Sequence, residues 1–388
     1  VRIGLVVPGG VDRSGRQRVI PALLWLIERL ASRHEVVVLA LGQEDVPGEW
    51  PLLGARVVDL GRSTRRTLPG LGVLSRVRQL SRAFRRHGPF DVVHAFWASP
   101  CGFLAVAAAP RPAPVVVSLA GGEFAAIPEI GYGCDLVPRE RMKVSIALRR
   151  AAAVTAASVP MLRSAATAGT VAELVPLGVE AAGFLPRSPR EASAPTRLLH
   201  VGSLNRVKDQ ETLLRAFALA RQRAPALRLD VVGEDTLNGE IQALATRLGL
   251  EGSAAFHGWL PTDEARRFFS RADLLVVSSR HEAGPVALVE AAACGVPTVG
   301  TAVGHVLEGH GVRSWAVPVG DAPALAEAIA ALAGDETRRL RMGEAALAWA
   351  RENDADRTAA RFEEIYLRVA PRRSGLSGRG RPPGVPGP

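Results

Sequence analysis

Two glutamates, Glu282 and Glu290, have seven residues between them in the stretch ADLLVVSSRHEAGPVALVEAAACGVPTVG (272–300). The run Asp273–Val277 reads as a buried parallel strand, 278–284 as the loop at its C-terminal edge, and Pro285 as the first residue of a helix, where its missing N–H costs nothing. Glu282 then lies at the strand's mouth. Glu290 shares a helix face with Val286 and Ala287, about 6–7 Å along the axis from the unpaired amides of the first turn. Those amides and the helix dipole attract a diphosphate. Glu290 is left a ribose-length away, where it can accept from vicinal hydroxyls, and Glu282 lies where a sugar on the diphosphate projects. The expected ligand is a nucleoside-diphosphate sugar held by Glu282, Gly284, Val286, Ala287 and Glu290.

A second segment supplies positive charge. RLLHVGSLNRVKDQETLLRAF (197–217) reads as a strand, a glycine-containing turn and an amphipathic helix, with Ser203, Arg206 and Lys208 in the turn. Only two of the chain's 48 cationic residues are lysines, Lys143 and Lys208, so Lys208 is not filler. Its compact ammonium suits a point contact with diphosphate oxygens, and Arg206 adds a fork of donors. The first loop, PGGVDRSG (8–15), brings the amides of Gly9 and Gly10 near the diphosphate, although it equally reads as a plain strand-to-helix connection. It lacks the Gly-Lys-Ser/Thr of a P-loop.

In the first half, His94 lies near the C-terminal end of the strand DVVHAF, the edge where open α/β sheets bind ligands. It is expected to touch a sugar hydroxyl or an acceptor, the other reading being a satisfied core histidine. After the next strand, LAGGE places Gly122 and Glu123 at the same edge as candidate acceptor contacts.

EAGPVALVE followed by AAACGVPTVG resembles the signature of family 4 glycosyltransferases, and PLGVE (176–180) is similar to the phrase that closes their N-terminal half. The resemblance implies a GT-B fold of two Rossmann-like, doubly wound domains with an interdomain cleft, and transfer with retention of configuration. It also implies that Glu282 touches the transferred sugar, Glu290 the ribose, and the amides of Val286 and Ala287 the diphosphate. Three departures stand out: Ser203 where the family has arginine, Asp209 where it has a second glycine, and Phe96 where it has a second histidine. With Lys208, Arg206 and the helix N-terminus aimed at the leaving diphosphate, no metal and no cofactor are expected. The catalytic set is then Glu282, Lys208 and His94, and the acceptor a glycan or lipid-linked hydroxyl. A sugar-nucleotide epimerase of the same shape, or a nucleotide-sugar binder without turnover, are the alternatives.

Length and composition fit two domains. At 388 residues, 47% hydrophobic and 22% charged, the chain is long enough for two cores. Strands alternating with helical patterns place an acceptor domain at 1–180, a linker at 181–196, a donor domain at 197–353, a crossover helix at 354–370 and a Pro/Gly/Arg-rich flexible tail at 371–388. Expected elements of the first half include helices at 16–33 and 141–150 and strands at 36–41, 91–96, 154–157 and 173–176. Cys101, Cys134 and Cys294 are too few and too scattered for a disulfide framework or zinc site. The uncharged run 92–110 reads as a strand, a turn and a short helix rather than a membrane span. A first strand in place of an h-region suggests the cytoplasm. The net charge of +10 is concentrated between Gly61 and Gly88, where eight arginines from Arg62 to Arg86 meet no acid. The second half of that stretch forms a basic amphipathic helix, read either as a solvated face or as a peripheral contact with an anionic membrane. Few aromatics accompany it, which argues against nucleic acid.

Overall fold

The computed structural model describes residues 1–62, 71–186 and 195–371. Two sheets organise the chain. The first comprises β1 (Arg2–Val7), β2 (Glu35–Ala40), β3 (Gly48–Leu52), β4 (Ala55–Asp59), β5 (Val92–Phe96), β6 (Val115–Leu119), β7 (Ala153–Ala156) and β8 (Glu173–Leu174), in the order β3-β4-β2-β1-β5-β6-β7-β8. Every pairing but β3–β4 is parallel. Its helices are α1 (Pro21–Ala31), α2 (Leu71–His87), α3 (Phe103–Ala108), α4 (Pro138–Arg150) and α5 (Val159–Thr167). Runs such as VVVSL and VVHAF are buried along their whole length because helices cover both faces.

The second sheet comprises β9 (Arg197–Val201), β10 (Arg228–Val232), β11 (Ala254–Phe256), β12 (Leu274–Val277), β13 (Thr298–Thr301) and β14 (Ser314–Val317), all parallel in the order β11-β10-β9-β12-β13-β14. Around it lie α6 (Gln210–Arg223), α7 (Glu240–Arg247), α8 (Thr262–Arg271), α9 (Val286–Ala293), α10 (Gly304–Glu308), α11 (Ala322–Gly334) and α12 (Glu336–Glu352). The order reverses between β9 and β12, so the chain runs on from these neighbours to opposite halves of the sheet and a crevice opens at their C-terminal ends.

The last helix, α13 (Ala355–Val369), returns to the first domain and packs on α1, burying Phe362, Ile365 and Tyr366 in its core. Burial on this scale contributes about 2–3 kcal/mol per large side chain. Thr358 Oγ1 donates to the Pro176 carbonyl and accepts from the Gly178 amide. A Cβ on Gly178 would lie 2.2 Å from the Asp354 backbone, so the PLGVE phrase is shaped by this docking.

Several local expectations need correction. Helix α1 starts at Pro21, not near residue 16, because the preceding loop is tied down: the Ile20 amide donates to Gly10 O and Arg18 holds Asp12 and Glu44. The hairpin β3–β4 was not anticipated; Leu53 and Gly54, both at positive φ, form its two-residue turn. Helix α5 was also missed, although Ser158 caps it by accepting from the Met161 amide. The strand expected at 173–176 is only two residues long. Run 92–110 forms β5, a tight turn and α3, and no helix among the described residues is long and apolar enough to cross a membrane. Arg65 and Arg66, the middle of the linker (187–194) and the tail beyond Pro371 lie outside the described residues.

Candidate active site

The crevice between β9 and β12 is stitched by its own backbone. The Arg280 amide donates to Val207 O, Ser278 Oγ to Lys208 O, and Thr301 Oγ1 to Ser279 O. These bonds set the loop after β9 against the loop after β12, and the side chains of the two loops converge. Lys208 Nζ lies 2.6 Å from Glu282 Oε1, which also accepts from Ser279 Oγ at 2.7 Å. The lysine stem crosses Gly202, where a Cβ would come within 3.2 Å of it. Asp209 occupies the expected second-glycine position with φ +49°, a left-handed conformation that Asp tolerates better than most residues. It also caps α6 through the Thr212 amide, and Arg280 Nε reaches its carboxylate at 3.2 Å.

Helix α9 begins at Val286, with Pro285 as its N-cap rather than its first residue, and no side chain caps it. The first-turn amides of Val286 and Ala287 therefore point outward unsatisfied by the helix itself. Glu290, one turn further on, is only 7% exposed, and the described residues give its carboxylate no hydrogen bond. Burial pushes it up to about 7, and nearby Arg266 offsets only part of that. Arg266 is itself held by Glu180 at 3.0 Å and stacks over Phe184. Gly284, between the two glutamates, is pressed between His305 and Ala157.

Other expected contacts have partners within the chain. His94 is wholly buried, with Nδ1 2.6 Å from Tyr366 Oη and Nε2 2.7 Å from Ser118 Oγ. Burial lowers it to about 3, and both ring nitrogens have protein partners, so its ring ties α13 to β5 as a satisfied core histidine does. Glu123 is 1% exposed and accepts from the amides of Ala98, Ala120 and Gly121, which makes it a loop anchor; burial raises its pKa against those bonds. Gly122 is covered by the Tyr132 ring, which a Cβ there would meet at 2.8 Å. The amides of Gly10 and Val11 donate to Gln43 Oε1 at 2.7 and 3.0 Å, and a Cβ on Gly9 would lie 3.2 Å from the same oxygen. Arg206 pairs with Glu240 at 2.6 Å, and Ser203 meets the Gln210 side chain through its carbonyl. The structure adds residues the motifs did not single out: Ser279, Arg280, and the cross-domain pair Tyr132 and His281, whose Oη and Nδ1 are 3.5 Å apart. Two glycines at positive φ, Gly131 and Gly133, flank Tyr132 and were its sequence signal. Its hydroxyl is pushed up to about 12 by burial, with the Glu282 carboxylate adding to the effect. Among the described residues no cluster of three or more His, Cys, Asp and Glu side chains could hold a metal ion.

Fold and site together define a glycosyltransferase of the GT-B type. The description "Glycosyl transferases group 1" matches residues 184–349, and "Glycosyl transferase 4-like domain" matches 19–178. The chain belongs to the family 4-type glycosyltransferases. It is 27% identical over 396 residues to D-inositol 3-phosphate glycosyltransferase of Pseudarthrobacter chlorophenolicus, covering 95% of this chain and 93% of that protein. It is also 30% identical over 175 residues to N-acetyl-alpha-D-glucosaminyl L-malate synthase of Bacillus anthracis, covering 44% and 45% of the two chains. Among solved structures, sucrose-phosphate synthase of Thermosynechococcus elongatus superposes with a TM-score of 0.79 at 18% identity, covering 95% of this chain and 99% of that one. HepE of Anabaena, in complex with UDP and glucose, gives a TM-score of 0.73 at 20% identity, covering 94% and 99%.

Proposed function

We propose that the donor is a nucleoside-diphosphate sugar and that the chain transfers its sugar, with retention, to a hydroxyl of a glycan or lipid-linked acceptor without a metal ion. The observation that carries this reading is the convergence of Lys208, Glu282, the first turn of α9 and the buried Glu290, whose carboxylate has no hydrogen bond among the described residues, on one sheet crevice. Breaking the anomeric C–O bond leaves negative charge on the diphosphate. Lys208 and the α9 amides stabilise that charge where it develops, in a site already organised before reaction. Glu282 orients the transferred sugar. Glu290, held buried without a partner, gains two hydroxyl donors when ribose binds, which offsets its desolvation. The solved complexes of HepE with UDP and with UDP-glucose support a nucleotide sugar in a fold of this shape.

An anionic membrane surface is the proposed setting for a lipid-linked acceptor. On α2, Leu74, Arg78, Arg82 and Arg85 are exposed along one stripe, whereas Arg76 turns inward to the Gly61 carbonyl and Arg86 faces Glu49. The test is nucleoside-diphosphate release from UDP-, GDP- and ADP-sugars, with and without a cell-envelope extract and anionic vesicles, followed by NMR of the product anomer. One donor should turn over faster with extract and yield a retained linkage in the presence of a chelator. An epimerised nucleotide sugar formed without acceptor, or an inverted linkage, would sink the reading.

A further inference from the structure

We infer that Glu308 is a positioning residue for sugar transfer, latching the N-terminus of α5 in the first domain to the loop that carries Glu282 in the second. Glu308 Oε2 accepts the Val159 amide at 3.2 Å across the domain boundary. Beside it, Ser158 Oγ donates to the Ala283 carbonyl. A Cβ on Gly284 would lie 3.3 Å from Ala157 Cβ, so residues 157–159 press directly on 283–284. These two residues join Glu282 to the N-terminus of α9. Parting the domains there frees the sugar-facing glutamate and the diphosphate-facing amides together.

Glu308 is built for this contact. His305 Nδ1 lies 3.2 Å from Oε2, Arg313 reaches Oε1 at 2.9 Å, and Trp349 packs on both the His305 ring and the Arg313 guanidinium. Burial opposes its charge, but bonds to His305 and the Val159 amide, with the Arg313 charge, outweigh it and hold the carboxyl at about 2. An ionised carboxylate is the favoured partner for the free amides of a helix N-terminus. Two other cross-domain contacts are weaker: Arg16–Asp263 is 60% exposed on both sides, and Tyr132 meets His281 at the long distance of 3.5 Å. The latch adjoins the buried Ser158–Ala283 bond, one residue from Glu282. Its positioning role rests on Glu282 facing the transferred sugar, as proposed above.

Val159→Pro tests it cleanly. Val159 is the first residue of α5, where proline is favoured, and Ser158 before it is extended (φ −151°, ψ 163°), as a residue preceding proline must be. The substitution therefore deletes the donated N–H and sets a ring carbon against Glu308 Oε2, while leaving the helix intact; Glu308→Ala removes the acceptor without adding atoms. On the full chain, small-angle scattering should show a larger radius of gyration. Hydrogen exchange over 280–287 should rise at least about tenfold, the weight of one charge-assisted hydrogen bond. Glu308→Ala should do the same, and the double variant should add little. With the donor found in the panel above, kcat should fall with little change in nucleotide affinity. Unchanged scattering and exchange in both variants would overturn the latch, and an opened variant with undiminished kcat would overturn the positioning role. Should no donor turn over in the unaltered chain, the sugar-transfer reading fails by itself, and scattering and exchange still decide the latch.

Discussion

Lys208 and Glu282, 74 positions apart, meet at 2.6 Å where the loops after β9 and β12 run side by side. Neither loop makes a site alone. Ser279 Oγ and Lys208 Nζ share Glu282 Oε1, and the lysine stem passes over Gly202. A diphosphate carries more charge than one carboxylate and would compete for the same ammonium, so binding of the proposed donor would exchange one charge-assisted contact for another.

Lys208→Ala removes the charge aimed at the departing diphosphate. Turnover should fall by about two to three orders of magnitude. The pair is partly solvated, with Lys208 27% exposed, so unfolding free energy should change by no more than about 1 kcal/mol. Single-turnover kinetics and thermal melts check both halves. A large loss of stability with normal turnover of the folded fraction would make the pair structural.

Glu290→Gln should stabilise the ligand-free protein at high pH and weaken nucleotide binding. A carboxyl whose pKa rises on folding to about 7 binds its proton more tightly folded than unfolded. Its contribution is therefore most favourable below the unfolded value near 4.5 and is lost as pH rises towards 7. Above that pH the glutamine variant should be more stable by about 1–3 kcal/mol, and below pH 4.5 the two should converge. Melts from pH 4 to 8, with and without nucleotide, measure this. Equal stability of the two proteins at pH 8 would refute it.

His94→Ala should cost stability, not chemistry. Its ring fills a fully buried site between Phe96, Phe362, Tyr366 and Ser118, and truncation leaves a cavity and strands the Tyr366 hydroxyl, while Ser118 Oγ keeps Thr155 Oγ1. A loss of about 2–4 kcal/mol is expected. Urea melts report the loss, and nucleotide affinity at low temperature should stay within about threefold of the unaltered chain, roughly 0.7 kcal/mol. A stable variant that no longer binds nucleotide would restore His94 to the ligand site.

The sequence by itself determined what short range encodes. Valine-rich runs ending at Gly and Pro locate most of the strands, and the proline before a small-residue helix locates α9, while the spacing from Glu282 to Glu290 sets one carboxylate at a strand mouth and the other a turn inside that helix. These follow from backbone sterics and side-chain periodicity within a few residues. Tertiary structure decided which polar groups remain free for a ligand. His94 lies at a ligand-binding edge by sequence, but its partner Tyr366 arrives from 272 positions away when α13 crosses back, and both ring nitrogens are consumed. Gly10 and Glu123 are spent in the same way on Gln43 and on backbone amides. Lys208 and Glu282, paired with each other, lie at the crevice that the reversal of strand order between β9 and β12 opens, with side chains 27% and 12% exposed. A residue's element is a local property; whether its hydrogen bonds are already satisfied depends on chain segments that meet only after folding.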